Sequence, residues 1–401
     1  MKAQGANIDV ALCHAGIAAE QWSEGMENAA VPLAAIDGID AVLTGHTHDL
    51  FSNNHDQASA NVGSSNGKLH GKPAVMAGFY GPHVGVISLD ITWSEGNIAI
   101  SASRIELARV NPNATATQLQ VRMTKDVMPA DTKTLNYIRQ PFAATDVPIN
   151  SHFATVAPNL SLQILAQVLL NQVATLAKGT QWENLPILSA AAPFRAGGRG
   201  GPEHYIDINP GPLTLRDAAA ICPLSNRLYV IRRTGAQIFA WLNQSAKLFR
   251  TLKCEIPDQD LLRAGVAPYD FDVMFGLTYS IDIERATDRI IDLCLNGKPV
   301  LADDIFIVAT NSYRVNGGGD FFATPPQDIM HVTANGTRDI LIESLRNCGK
   351  LQASPISSWS FAPLADTCAL FLSAPHTTVP TGQDKISATN RNVDGFAEFR
   401  L

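Results

Sequence analysis

Two short apolar runs that each end in histidine constrain this chain more than any other feature. Ile8-Asp9-Val10-Ala11-Leu12-Cys13 is followed by His14-Ala15-Gly16, and Ile39-Asp40-Ala41-Val42-Leu43-Thr44 by Gly45-His46-Thr47-His48. Between them, Trp22, Met26, Ala29, Val31, Leu33 and Ala34 recur at helical spacing across Glu20 to Ile36, with no proline before Pro32. The pattern predicts strand, helix, strand. Such a unit crosses over right-handed and lays its strands parallel, so His14, His46 and His48 emerge at the carboxyl edge of one sheet, where open α/β sheets bind ligands.

Neutral imidazole is the commonest protein ligand for transition metals, and neighbouring glycines let the backbone fold tightly around an ion. One histidine at a strand end is as readily a turn cap; three at one edge point to a metal site. A hydrolytic centre also needs carboxylates to balance the cations and a group to manage the proton. Asp40 stands at the wrong end of its strand for this, and Asp49 leads into the next loop. Parallel sheets are normally covered on both faces and have several strands. The expectation is therefore that the amino-terminal part of this domain lies outside the sequence.

Cys13-His14-Ala15-Gly16 and Gly45-His46-Thr47-His48-Asp49-Leu50-Phe51, with Pro73 to Gly78 and Tyr80-Gly81-Pro82-His83-Val84-Gly85, resemble the last third of a calcineurin-like metallophosphatase domain. The resemblance continues through Leu188 to Arg195, Phe271-Asp272-Val273 and Ala309 to Arg314, so it covers nearly the whole chain. It is strongest to the bacterial periplasmic 2',3'-cyclic-nucleotide 2'-phosphodiesterase/3'-nucleotidase branch of the 5'-nucleotidase family. The fold class it implies is α/β and α+β: a partial metallophosphoesterase domain, then a 5'-nucleotidase-type substrate-binding domain. It also implies two divalent metal ions in the complete parent, with His14 and His46 on one metal and His48 on the other. The family's Asp-x-His pair, bridging Asp and Gly-Asn-His-Glu segment have no counterpart in this sequence, so no catalytic residue is assigned.

Composition fits a partial two-domain protein. The 401 residues are 46% apolar, enough for sizeable cores, and a net charge of -7 with no basic cluster argues against polymeric nucleic acid as a partner. The densest apolar stretch, Leu160 to Leu176, is interrupted by Ser161, Gln163, Gln167, Asn171 and Gln172, so no membrane partner is expected. No signal segment is read at Met1 to Gly5, and a periplasmic location follows from the resemblance alone. Six scattered cysteines form no C-x-x-C pair. Cys13 and Cys222 sit in apolar runs and read as buried thiols, whereas Cys254, Cys348 and Cys368 are the candidates for pairing.

A metallophosphoesterase portion is expected over residues 1–114, closed by a hairpin across Val84 to Val110 that turns at Glu95-Gly96-Asn97. A helical linker over 115–141 should break near Pro129, and the Asn-, Ser- and Gly-rich Asn53 to Gly71 reads as an exposed excursion. Residues 142–401 form the second domain, with a helix from Asn159 to Lys178, another from Gly235 to Phe249, and strands at Pro186 to Ala190, Arg227 to Arg232, Thr278 to Ile283 and Asp304 to Thr310.

Arg195 precedes Gly197-Gly198-Arg199-Gly200-Gly201, where a guanidinium could pair with an oxyanion; a Gly-rich loop with two arginines is equally a solvated turn. Tyr313, beside Gly317-Gly318-Gly319-Asp320, offers an aromatic platform for a base. The resemblance makes Arg195 a ligand contact, Asn226 of Pro223-Leu224-Ser225-Asn226 a base or sugar contact, and Tyr313 one wall of a base sandwich. Leu224 replaces the stacking aromatic of the other wall. Asp320 could bind sugar hydroxyls, and Gly276 could lie against the base. The stretch Thr145 to Asn159 lacks the arginines that 5'-nucleotidases bring to their ligand. This favours hydrolysis of ribonucleoside 2',3'-cyclic phosphates and 3'-nucleotides by the parent, with a nucleotide or nucleoside as partner. A 5'-nucleotidase/UDP-sugar hydrolase-type enzyme, and a non-catalytic nucleotide-binding remnant or one chain of a split enzyme partnered by the missing segment, stand as alternatives.

Overall fold

The computed structural model describes residues 2–51, 61–63, 66–94, 97–111, 113–224, 226–263, 266–352, 356–364, 367–379, 383 and 385–401. The chain divides into two compact units, Met1–Asp126 and Val127–Leu401. The division falls inside the region read as a helical linker.

In the first unit, strand β1 (Val10–Cys13) leads through the helix α1 (Ala30–Ala34) to β2 (Ala41–Thr44). The two strands pair in parallel, with Val10 opposite Ala41 and Cys13 opposite Thr44. The helix is much shorter than its apolar spacing predicts. Gly25 adopts a left-handed backbone (φ 76°) and Trp22 is 70% exposed, so the first half of that spacing faces no core. Next, β3 (Lys72–Ala77) extends the sheet beside β2, again in parallel. The described part of the Asn53 to Gly71 excursion is structured: Val62–Gly63 pairs with Lys68–Leu69, which pairs with β3, and Val62 and Leu69 are buried.

The hairpin forms as β4 (His83–Ser94) and β5 (Asn97–Arg109), paired antiparallel along their whole length; Glu95 and Gly96 of its turn lie outside the described residues. The linker is one helix, α2 (Gln118–Ile138), rather than two. Pro129 sits inside it, where it removes a backbone donor without ending the helix.

The second unit is built on a five-stranded sheet. The strands of this sheet and four of the unit's helices, in chain order, are α3 (Leu160–Ala177), β6 (Ile187–Ala191), β7 (Arg227–Thr234), α4 (Gly235–Ser245), β8 (Val273–Phe275), β9 (Ile305–Asn311), α5 (Ser312–Val315), β10 (Ile329–Gly336) and α6 (Thr337–Cys348); smaller sheets complete the unit. The strand order is β8-β6-β9-β7-β10, and only the β6–β9 pair is parallel. Alternate residues of these strands serve two separate cores: Leu228, Val230, Ile307 and Ala309 enter one, and Ile231, Phe306 and Val308 the other. A strand covered on both faces must be apolar at successive positions, which is why Ile305 to Ala309 reads as an unbroken run.

By length and apolarity α3 could cross a membrane, yet it is a core helix here, with Leu160, Leu162, Ile164, Leu165, Leu169 and Val173 buried. Its start is set by Asn159, whose side chain accepts from Ser161 N at 3.0 Å. The six cysteines are free thiols, including Cys254, Cys348 and Cys368. Cys222 is buried, and burial pushes its thiol pKa up. Cys13 is only half-buried, because β1 is an edge strand.

That edge leaves Leu12 81% exposed and Val10 44% exposed. A strand held on one side and open to water should exchange its amides far faster than one locked between two partners. Hydrogen exchange should therefore be fast in Val10–Cys13 and slow in Arg227–Thr234; equal protection would contradict this ranking.

Candidate functional site

In the first unit the histidine loops follow β1 and β2 directly, and short bonds draw them together. Thr44 Oγ1 donates to the Ala15 carbonyl, and Gly45 N reaches the same oxygen at 3.3 Å. Asn28 Oδ1 accepts from Gly16 N at 3.0 Å. The His14 and His46 rings stand edge to face with centroids 5.1 Å apart. That spacing suits two imidazoles sharing one ion at metal–nitrogen distances of about 2 Å. His46 Nε2 contacts Glu27 Oε1 at 2.8 Å.

His46 and His48 both adopt a left-handed backbone, with φ of 75° and 63°. For a residue with a side chain this costs of order 1–3 kcal/mol and concentrates at functional sites. His48 does not join the other two imidazoles. It stacks on Phe79, with ring centroids 4.8 Å apart. The three rings therefore do not form one cluster, and among the described residues no group of three His, Cys, Asp or Glu side chains is placed to hold an ion.

In the second unit the site-bearing segments are organised by a buried ion pair. Arg314 Nε donates to Asp272 Oδ2 at 2.7 Å, and both side chains are 2% exposed. The same carboxylate oxygen accepts from Trp241 Nε1 at 2.8 Å. Arg314 also reaches Asp270 Oδ1 at 3.3 Å, the Gly318 carbonyl at 2.8 Å and the Tyr269 carbonyl, and its guanidinium lies 4.1 Å from the Phe321 ring centroid. Burial alone would lower the Arg314 pKa, but the charge and hydrogen bonds of Asp272, with Asp270, raise it above its ordinary value. At Asp270 burial wins over Arg314 and pushes the carboxyl pKa up.

Around this pair the substrate-contact candidates separate into two groups. Asn226 Oδ1 accepts from Ser312 Oγ at 3.1 Å, which orients the amide beside Tyr313. Asn226, Leu224, Phe194 and Asn311 line one small pocket at the ends of β6 and β9. Arg195 follows Phe194, and its Nε is buried with no hydrogen-bond partner among the described residues. Tyr313 lays its ring against Gly318, where a side chain would collide with it. Asp320 is exposed on the same loop, with φ 60°.

Gly276 instead backs onto β6: a Cβ there would stand 2.8 Å from Leu188 Cδ2 and 3.2 Å from the Ile187 carbonyl, at φ 102°. The Gly197–Gly201 loop is likewise packed on its own chain, Gly197 against Tyr205 and Gly200 against His204. His204, beside it, has its pKa lowered by burial and then by the Arg195 charge.

Comparison with known proteins accords with this architecture. Residues 173–324 match the model of the 5'-nucleotidase C-terminal domain. The chain is 33% identical to the trifunctional nucleotide phosphoesterase protein YfkN of Bacillus subtilis over 93% of its own length and 26% of the relative's. It is 31% identical to the 2',3'-cyclic-nucleotide 2'-phosphodiesterase/3'-nucleotidase of Haemophilus influenzae, over 91% of the chain and 59% of that protein. Residues 173–324 are thus similar to the C-terminal domain of 5'-nucleotidases, and the chain as a whole is similar to nucleotide phosphoesterases. A crystal structure of a putative 5'-nucleotidase from Staphylococcus aureus superposes over 90% of the chain and 65% of its own, with a TM-score of 0.60 and 18% identity, so the fold is shared. The chain thus spans about three fifths of the length of the cyclic-nucleotide phosphodiesterase and about a quarter of the trifunctional protein.

Sequence reasoning missed Glu27, Asp272 and Arg314 as residues with roles of their own. The signal for Asp272 was a charge between Phe271 and Val273-Met274-Phe275, which a folded chain tolerates only when the charge is paired; Arg314, among polar neighbours, carries no such signal. Removing one partner should leave an uncompensated buried charge. Asp272→Ala is expected to lower stability by about 3–5 kcal/mol in urea unfolding, and a loss below about 1 kcal/mol would show that the pair is not needed.

Proposed function

We propose that this chain supplies the nucleotide-binding unit and part of the metal-binding unit of an enzyme that hydrolyses ribonucleoside 2',3'-cyclic phosphates and 3'-nucleotides. The observation that carries the reading is the 31% identity, over 91% of the chain, to a protein named for these activities. The absence of Arg and Lys from Thr145 to Asn159 supports this branch over the 5'-nucleotidases. A periplasmic location belongs to the same proposal.

His14 and His46 would hold one divalent ion and His48 a second. Their imidazole chemistry and the 5.1 Å spacing of the first two rings fit that role. When bound, such ions would activate water and neutralise charge on the phosphoryl oxygens. The chain's own contributions are binding and orientation. Tyr313 would stack on the base, Asn226 would donate its amide to base or sugar, and the buried Arg195 Nε–H would meet an anionic oxygen. Asp320 would take sugar hydroxyls. Leu224, half exposed, would give an apolar floor instead of a second ring.

Because the sequence contains neither Asp-x-His nor Gly-Asn-His-Glu, the chain by itself is expected not to turn over 2',3'-cyclic AMP or 3'-AMP. Metal-dependent hydrolysis by purified protein that disappears in His46→Ala would overturn this. Binding should persist without turnover. Calorimetry with 3'-AMP should show Tyr313→Ala weakened by about 1–3 kcal/mol, the range for base stacking on an aromatic ring, and equal affinities would remove Tyr313 from the site.

A further inference from the structure

We infer that Glu27 is a positioning residue that fixes the ring of His46 for metal binding; the inference rests on the metal-binding reading of His14 and His46. A carboxylate only accepts hydrogen bonds, so at 2.8 Å from Glu27 Oε1 the His46 Nε2 must carry the proton. Nδ1 is then the ring nitrogen with a lone pair for a metal. A histidine ligand ordinarily donates its second N–H to a carboxylate or carbonyl, which sets both the tautomer and the ring direction.

The neighbouring residue completes the device. Asn28 Oδ1 accepts from Gly16 N, two residues beyond His14, and Ala30 N bonds the Gly16 carbonyl at 3.2 Å. Gly16 is pressed between Thr47 and Asn28 so closely that a Cβ would collide with both. Glu27 therefore grips the His46 loop while Asn28 grips the His14 loop. Because the two gripping residues are adjacent in the chain, they fix one histidine loop against the other. Neither Glu27 nor Asn28 sits at a strand end, and both precede α1, in the stretch whose spacing suggested helix. A helix there would have turned Glu27 and Asn28 about 100° apart, on different directions of one cylinder.

The test separates this inference from the reading beneath it. In the metal-free full chain with 15N-labelled histidine, the His46 signal, assigned by its loss in His46→Ala, should show the Nε2–H tautomer, and Glu27→Ala should move it toward a mixture. Zn2+ titration against a chromophoric chelator should then show affinity lowered about 10- to 100-fold in Glu27→Ala, with Glu27→Gln in between and thermal unfolding unchanged in both. A wild-type Nδ1–H tautomer, or wild-type tautomer and Zn2+ affinity in Glu27→Ala, would overturn the positioning role. Zn2+ affinity that survives His46→Ala and His14→Ala would instead remove the metal reading and this inference's purpose with it. Loss of binding in those two variants alone would leave the metal site standing without Glu27.

Discussion

The contact between Arg314 and Asp272 is the interaction on which the second unit's site depends. Two opposite charges, each 2% exposed, are removed from water, and their attraction offsets that desolvation only because every other demand of the two groups is met. Trp241 Nε1 donates to one carboxylate oxygen and Arg314 Nη2 reaches the other at 3.3 Å, while Asp270, Tyr269 and Gly318 take the remaining guanidinium protons. The consequence is local geometry. Arg314 follows Tyr313 directly and bonds the carbonyl of Gly318, on which the Tyr313 ring lies, so one buried pair sets both the aromatic ring and the loop beneath it.

The two units differ in how much of their surface is resolved into core. The second encloses two cores on opposite faces of one sheet, with aromatic pairs such as Phe249–Phe271 and Phe271–Trp359 packed edge to face at 5.1 and 5.2 Å. Among the described residues the first has a smaller core, around Val42, Phe51, Leu69 and Met76. It also keeps Val10, Leu12 and Trp22 exposed, and its histidine loops are held by a few hydrogen bonds rather than by packing.

Much of this was legible in the sequence, and the misses have physical reasons. The parallel pairing of β1 and β2 followed from period and spacing, as did the Asn159-capped helix and the long hairpin, because each rests on local pattern. The short α1 did not, because apolar spacing records possible burial, and the stretch before Ala30, with Gly25 left-handed and Trp22 exposed, meets no core. The continuous α2 did not, because a proline's cost can be outweighed by the helix around it. At the candidate site, Asn226 and Tyr313 were singled out by residue type and resemblance, and the structure bonds Asn226 to Ser312, the residue before Tyr313. Gly276, read as a ligand contact, is also required to be bare by Leu188 and the Ile187 carbonyl, a constraint set 88 and 89 residues away in the chain that no local pattern shows.

The proposed nucleoside site joins the small pocket lined by Asn226 and Asn311 to the ring of Tyr313, next to the Asp272–Arg314 pair. A crystal structure of the chain grown with 3'-AMP tests it most directly. The expected result is the base against the Tyr313 ring with Asn226 in hydrogen-bond contact and an anionic oxygen near Arg195. A nucleotide bound elsewhere, with the Tyr313 ring and the Asn226 amide untouched, would contradict it.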